Sequence, residues 1–223
     1  MKTWQLGNHL LEFIEETHTY VCDGLIVPSV STILKTKFND YVGVSKEVLN
    51  RAAELGSNLH LAIELFEKEG KTSDLKEFKN YLFLKKHYKI ENLENEIPII
   101  YEKDGKVIYA GTLDQLCKVD GRLCINDFKR VSAPNKEKIA LQVNLYKIGY
   151  EQTYHKSIEI LSFMHLREEK RKFYKLPVNE EMAMKLVKEY LEDKNDTKWN
   201  DNQILKWTWE YNYLWKLFKV IYN

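Results

Sequence analysis

The sequence predicts an α/β domain in which helices pack against a mixed central β-sheet. Two segments, Ser45–Glu69 and Asp74–Tyr88, repeat apolar residues at helical spacing. The stretch from Glu96 to Lys129 is rich in β-branched and aromatic residues and contains two Asp-Gly pairs, which are typical of tight hairpin turns. Helical and extended segments then alternate as far as Glu192. This mixture of elements is typical of an α/β architecture.

The first elements are short. His9–Phe13 and Thr19–Cys22 have the composition of strands, and Asp23-Gly24 marks a turn. Ser29 or Ser31 would cap a short helix after them, because a serine hydroxyl can accept a hydrogen bond from a free backbone N–H of the first turn. The two amphipathic segments follow as a helical insertion, and a glycine ends the first of them.

The central segment predicts an antiparallel meander of three strands. These are Glu96–Tyr101, Val107–Val119 and Arg122–Lys129, joined at Asp104-Gly105 and at Asp120-Gly121.

The last third of the chain predicts two helices, two strands and an aromatic tail. Pro134–Thr153 and Glu180–Glu192 have helical spacing, whereas Ser157–Leu166 and Lys172–Leu176 have the composition of strands. The tail, Trp199–Tyr222, is predicted to be helical. Its aromatic side chains fit either an apolar stripe packed on the domain or a set of faces that stack on unpaired bases.

Composition excludes several classes of protein. The 223 residues carry a formal net charge of +1, which excludes a histone-like polycation, although nucleic-acid binding needs only a local basic surface. No apolar run approaches the roughly 18–20 residues that span a bilayer, and Met1–Leu11 does not resemble a signal peptide. Cys22, Cys117 and Cys124 form no disulfide or zinc pattern, so we expect buried thiols in a reducing cytoplasm.

Two aspartates and a lysine are predicted to converge at one end of the meander. Asp114 lies late in the second strand and Asp127 near the end of the third, where Lys129 shares its face because alternate strand residues point the same way. Neighbouring carboxylates favour a divalent cation such as Mg²⁺ or Mn²⁺, and a lysine beside it can stabilise developing charge. The set therefore predicts metal-assisted phosphodiester hydrolysis. A surface ion pair would explain Asp127 and Lys129 equally well.

Residues on two predicted helices strengthen this prediction. Gln142 and Tyr146 lie four residues apart and therefore share one helix face. His60 could complete a metal shell or serve a purely structural role. Gly56, four residues earlier, is costly inside a helix, which suggests a close approach of the backbone to another group.

Taken in order, these residues resemble the RecB-like exonuclease branch of the PD-(D/E)XK nuclease superfamily. The matching motifs are R-x(4)-G-x(3)-H at Arg51, Gly56 and His60, G-x-x-D at Gly111 and Asp114, D-x-K at Asp127 and Lys129, and Q-x-x-x-Y at Gln142 and Tyr146. His18-x-Tyr20 and the segment from Val27 to Leu34 are similar to phage members and to the mitochondrial genome maintenance exonuclease. The match covers about residues 18–150.

The resemblance implies a restriction-endonuclease-like core in a single nuclease domain over residues 1–223, with a C-terminal helical extension from about residue 178. It implies metal ligation by His60, Asp114, Asp127 and the backbone carbonyl of Phe128. Lys129 would be catalytic together with the two aspartates, Gln142 and Tyr146. The DNA-binding set would comprise Arg51, Arg130, Ser132, Gln142 and Tyr146.

Three positions need separate comment. Glu96 would assist from outside the ligand set or would be a solvated acid at the strand edge. Arg130 stands where many relatives have Thr or Ser, with Ser132 two residues on, and would contact phosphate. Some relatives hold an iron–sulfur cluster with four cysteines, whereas this chain has three, so no cluster is expected.

The sequence therefore predicts a Mg²⁺- or Mn²⁺-dependent DNA exonuclease that acts on single-stranded or duplex ends. We expect a role in phage or prophage recombination, replication or end processing. The location would be the cytoplasm, that of the host if the protein is viral. A recombinase or a single-strand-binding protein would be the partner, and no association with a membrane is expected. Basic residues in 129–138 and 167–175 would flank the DNA or be solvated. The alternatives are a structure-specific or restriction-like endonuclease and a non-catalytic DNA- or protein-binding module.

Overall fold

Two β-sheets flanked by helices make up the α/β fold of the computed structural model, which describes residues 1–38 and 43–196. The chain divides into two compact units, Met1–Leu186 and Val187–Asn223. The first unit contains every strand of the described residues. The aromatic tail, Trp199–Tyr222, lies outside the described residues, so its helical structure and the single domain over 1–223 stay predictions.

The N-terminal residues form a four-stranded antiparallel sheet. Its strands, paired in chain order, are β1 (Lys2–Leu6), β2 (His9–Ile14), β3 (Thr19–Cys22) and β4 (Leu25–Val27). The sequence predicted β2 and β3 but missed the two outer strands, because β1 is short and largely polar and β4 has only three residues. One face, with Leu11 and Tyr20 at its centre, packs against Ile100 and Ala110 of the second sheet.

Three helices follow this sheet as the sequence predicted. Helix α1 (Val30–Leu34) begins at Ser29, whose side chain accepts a hydrogen bond from the backbone N–H of Thr32. Helix α2 (Lys46–Glu69) begins in the same way at Ser45. It ends at Gly70, whose φ of +72° is a left-handed conformation that glycine adopts without strain. Helix α3 is Lys76–His87.

The second sheet is mixed and has five strands. In spatial order they are β5 (Glu91–Lys103), β6 (Lys106–Val119), β7 (Arg122–Lys129), β8 (Ile160–Arg167) and β9 (Lys170–Leu176). Only the β7–β8 pair is parallel, and helix α4 (Lys136–Tyr154) connects these two strands. Both predicted Asp-Gly turns are confirmed, because Asp104, Gly105, Asp120 and Gly121 all have positive φ, as a two-residue type I′ turn requires.

Helices cover both faces of the second sheet. Leu59 and Ile63 of α2 and Phe78 and Tyr81 of α3 pack in one buried cluster with strand residues, among them Phe128. Helix α4 packs elsewhere on the sheet, where the Tyr109 hydroxyl donates a hydrogen bond of 2.9 Å to the carbonyl of Leu145. The last described helix is α5 (Glu180–Asp196). The three cysteines are buried and free, as predicted.

No helix among residues 1–38 and 43–196 is long and apolar enough to cross a membrane.

Candidate active site

Strands β6 and β7 part at the two predicted aspartates. The last registered pair of this ladder is Gln115 with Asn126, so Asp114 and Asp127 follow directly on the two strands. The Asp114 Oδ2 atom accepts a hydrogen bond of 2.7 Å from the backbone N–H of Phe128. The Asp114 carboxylate thus takes the place of the backbone carbonyl that would otherwise accept this hydrogen bond in the ladder. The backbone of β7 therefore holds the carboxylate in position.

Two buried amides hold the register next to these aspartates. Asn126 Nδ2 donates a hydrogen bond of 2.9 Å to Gln115 Oε1 on the opposite face of the sheet. Gln115 in turn donates to the Tyr81 hydroxyl of α3 at 3.0 Å. Both amides are fully buried, so a shift in register would leave costly unpaired polar groups. Sequence reasoning missed these residues, because a polar residue in a strand does not show by itself that it is buried.

The structure brings together an imidazole and two carboxylates at this point. Potential ligand atoms of His60, Glu96 and Asp114 all lie within 4.8 Å of one another. His60 Nδ1 lies 3.6 Å from Asp114 Oδ1, and these side chains are 29% and 13% exposed, so the group is open to solvent on one side. Carboxylate oxygens together with an imidazole suit Mn²⁺ or Mg²⁺.

Glu96 belongs to this group and is half-buried, on the outer strand β5 of the second sheet. It lies opposite Asp114, between the registered pairs Asn95–Gln115 and Ile97–Leu113, and its φ of +56° is left-handed. That conformation costs a non-glycine residue roughly 1–2 kcal/mol and is most often kept at functional sites. Burial, and then the charge of Asp114, raise the pKa of Glu96 to about 7.

Asp127 lies deeper than the other two acids. It is 1% exposed, and Lys129 Nζ lies 2.5 Å from its Oδ2 atom. Apart from this contact with Lys129, neither carboxylate oxygen has a hydrogen-bond partner among the described residues. Burial raises the pKa of Asp127 to about 6, Lys129 opposes the rise and Asp114 adds to it. The two residues form the ion pair that the alternative interpretation expected, but not at the surface, because Asp127 is buried and the Lys129 side chain is 21% exposed.

The predicted helix pair also lies beside the acids. Gln142 Nε2 donates a hydrogen bond of 3.1 Å to the hydroxyl of Tyr146, as the shared helix face suggested. Tyr146 is 6% exposed and lines the same cleft as His60 and Asp114. Burial first, and then the charges of Asp114 and Asp127, raise the pKa of Tyr146 well above its usual value. Its hydroxyl is therefore neutral and can donate a hydrogen bond.

Three other predicted residues are not brought into the site. Arg130 Nε donates a hydrogen bond of 2.7 Å to Glu77 of α3, and both side chains are largely buried, so its predicted contact with phosphate is wrong. Arg51 is exposed on α2, and Ser132 is exposed after β7. Neither lines the cleft described below. The group of potential ligand atoms where β6 and β7 separate comprises His60, Glu96 and Asp114 and does not include Asp127. Metal ligation by Asp127 and by the Phe128 carbonyl stays a prediction.

Glu96 and Asp114 line a cleft of about 620 Å³ between the N-terminal sheet, α2 and the second sheet. That volume lies in the range of roughly 300–1,000 Å³ typical of small-molecule sites. Its polar lining includes Lys2, Ser29, Ser57 and Asn58, and its aromatic lining is Trp4, Phe13, His18, Tyr20 and Tyr146. The sequence did not predict a role for Trp4 or Phe13, because the sheet that presents them was only partly predicted.

Two glycines of the motifs differ in their surroundings, and matched alanine variants should differ accordingly. A Cβ atom at Gly111 would lie 2.9 Å from Tyr146 Cε1 and 3.2 Å from Val30 Cγ2, whereas at Gly56 it would meet nothing within 4 Å. No described residue outside the helix therefore approaches Gly56 closely, although this glycine lines the cleft.

We expect Gly111→Ala to lower the free energy of unfolding by about 1–3 kcal/mol through overpacking. Gly56→Ala should raise it by about 0.5–1 kcal/mol, because alanine favours a helix interior. Urea denaturation measures both. Equal effects of the two variants would contradict this account of the G-x-x-D motif.

The buried acids also predict how stability depends on pH without metal. The pKa of Glu96 rises from 4.5 to about 7 in the folded protein, so the folded state binds this proton more tightly than the unfolded state. Stability should therefore fall as the pH rises from about 4.5 to about 7. Glu96→Gln should remove the contribution of Glu96 to this slope, leave that of Asp127, whose pKa is raised from 3.8 to about 6, and gain about 1–3 kcal/mol at pH 8. Urea denaturation in EDTA at several pH values tests this, and an unchanged slope would contradict it.

Comparisons with known proteins give little further information. No protein-family model matches the chain, and no curated protein matches it. Among solved structures, the chain is similar to the crystal structure of SSO0001, with a TM-score of 0.44 and 14% identity over 74% of this chain and 75% of that chain. A likeness of this extent carries no argument about function.

Proposed function

We propose that this chain is a metal-dependent deoxyribonuclease that hydrolyses DNA from an end, with a restriction-endonuclease-like core of the RecB-like type. The observation that carries the proposal is a cluster of acidic and basic side chains at the point where β6 and β7 separate. There, His60, Glu96 and Asp114 form a group open to a cleft, and the buried pair of Asp127 and Lys129 follows on the next strand.

The residues fit a divalent cation. His60, Glu96 and Asp114 would hold it, and the buried carboxylate of Asp127, which is paired with Lys129, follows on the next strand. When bound, Mg²⁺ or Mn²⁺ would polarise a phosphate oxygen and lower the pKa of a bound water. Two buried acids with raised pKa values fit this function, because a cation stabilises their charged forms.

The remaining side chains would bind and orient the DNA strand. Asp127 holds the ammonium group of Lys129, which would stabilise the charge that develops on the phosphate. The neutral hydroxyl of Tyr146, itself positioned by Gln142, would donate to a phosphate oxygen. The aromatic faces of Trp4 and Phe13 in the cleft suit unpaired bases, which would favour a single strand.

The proposal is tested with labelled linear single-stranded DNA and with closed single-stranded circles in Mn²⁺. We expect label to be lost from the linear DNA and the circles to persist. Cutting of circles at the same rate would instead favour an endonuclease. Asp127→Ala should abolish the loss of label, whereas Asp74→Ala is the matched control, because Asp74 is fully exposed on the loop before α3. Intact linear DNA with the wild-type protein, or loss that persists in Asp127→Ala, would contradict the proposal.

A further inference from the structure

Two lysines lie over one aromatic ring at β9, the last strand of the second sheet. Lys136 Nζ lies 4.8 Å and Lys172 Nζ lies 4.9 Å from the centre of the Tyr174 ring. The ring is itself stacked on Phe163, with centroids 4.6 Å apart and planes inclined by 9°. Because the tyrosine is held in place and its face attracts cations, it brings two ammonium groups close together.

These two positive charges have no carboxylate partner among the described residues. Neither Lys136 nor Lys172 forms an ion pair there, although both are exposed. Nearby lysines behave differently, since Lys76 pairs with Glu168 and Lys175 lies 4.0 Å from Asp120. Because like charges repel, two ammonium groups held close together favour the binding of an anion between them. No carboxylate of the described residues takes this position.

Lys172 lies in the same row across the strands as Lys129 of the candidate active site. Lys129, His165 and Lys172 are registered neighbours across β7, β8 and β9, and so are Asp127, Phe163 and Tyr174 in the adjacent row. Strands lie about 4.8 Å apart, so the Cα atoms of Lys172 and Lys129 are separated by roughly 10 Å. The cleft borders β5 and β6, on the other side of the acids. A DNA strand that leaves the cleft across Asp114 and Lys129 would pass His165 of β8 and then reach Lys172 of β9.

We propose that Lys136 and Lys172 form a subsite for a backbone phosphate of the DNA strand, beyond the scissile bond on the side away from the cleft. This inference rests on the proposed function and names the path of its substrate. Lysine acts on phosphate as a point charge, so the subsite positions the strand without reading its sequence. It unites the two basic segments of the sequence, because Lys136 begins α4 and Lys172 lies on β9.

The test is the salt dependence of binding to a single-stranded oligonucleotide, measured by fluorescence anisotropy with Ca²⁺ in place of Mn²⁺. Each lysine that neutralises a phosphate contributes about 0.7 to the slope of log K against log salt concentration. The double variant Lys136→Gln with Lys172→Gln should therefore lower that slope by about 1.4. Both side chains are exposed, so the double variant should still unfold in one cooperative thermal transition, with at most a small decrease of its midpoint from the lost contacts with the Tyr174 ring.

The matched control replaces Lys103 and Lys106, which flank the exposed Asp104-Gly105 turn, by glutamine. This pair makes the same change in charge at a place roughly 26 Å along β6 from Asp114. We expect it to leave the slope unchanged. Equal decreases of the slope in both double variants would overturn the subsite, because net charge alone would then explain them. An unchanged slope in both variants, or no binding by the wild type, would also overturn it. Cleavage in Mn²⁺ with an unchanged slope would overturn the subsite alone, whereas a lowered slope without cleavage would overturn the nuclease and leave a phosphate-binding site.

Discussion

Asp114→Asn is expected to reduce metal-dependent cleavage of DNA by at least about 10²–10³-fold, the effect typical of losing one electrostatic group from a preorganised site. The fold should survive, because an asparagine side-chain oxygen can still accept the hydrogen bond from the backbone N–H of Phe128. What is lost is one of the two carboxylates that lie with His60. The rate of label release in Mn²⁺, together with calorimetric titration of Mn²⁺, measures the loss.

The control for this variant is Asp74→Asn, which makes the same chemical change at a fully exposed position. It should cleave and bind Mn²⁺ as the wild type does. Full activity of Asp114→Asn, with an unchanged affinity for Mn²⁺, would show that the group of His60, Glu96 and Asp114 is not the metal site.

Lys129→Met is expected to reduce cleavage to a similar extent, about 10²–10³-fold, and also to make stability strongly dependent on pH. Lys129 opposes the burial that raises the pKa of Asp127 from 3.8 to about 6, so without it this pKa should rise further. The folded protein then binds the proton more tightly than the unfolded chain, and stability falls as the pH rises through this window. An unpaired buried charge costs about 3–5 kcal/mol, so the variant should be far less stable at pH 8 than at pH 5.

Lys129→Arg separates the two effects. Arginine keeps the positive charge beside Asp127, so urea denaturation at pH 8 should resemble that of the wild type. Its planar guanidinium cannot reproduce the compact ammonium group, so cleavage should still be reduced. A Lys129→Met variant with the same stability at pH 5 and pH 8 would contradict the role of this lysine in compensating Asp127.

Local signals in the sequence were sufficient for much of the fold. The type I′ turn at Asp120-Gly121 sets the register of β6 and β7, so the convergence of Asp114 and Asp127 follows from chain spacing alone. Serine caps and the left-handed Gly70 likewise determine where the helices begin and end. These features depend on a few adjacent residues, and for that reason a single sequence reveals them.

Features that depend on distant partners could not be predicted in this way. Glu96 has a left-handed conformation opposite Asp114, and its carboxylate lies within 4.8 Å of His60, which belongs to a helix far away in the sequence. Arg130 resembled a phosphate ligand until its partner Glu77, on α3, was known. The gathering of Lys136 and Lys172 over Tyr174 also needs the tertiary structure, because the residues come from a helix and an edge strand.

The most direct test of the proposed function is a crystal structure with Mn²⁺, in which anomalous scattering identifies the ion. We expect one ion held by His60, Glu96 and Asp114 at roughly 2.0–2.4 Å from their ligand atoms, and its loss in Asp114→Asn. Saturating Mn²⁺ with no anomalous peak at these three residues, or an equal peak in Asp114→Asn, would contradict the account.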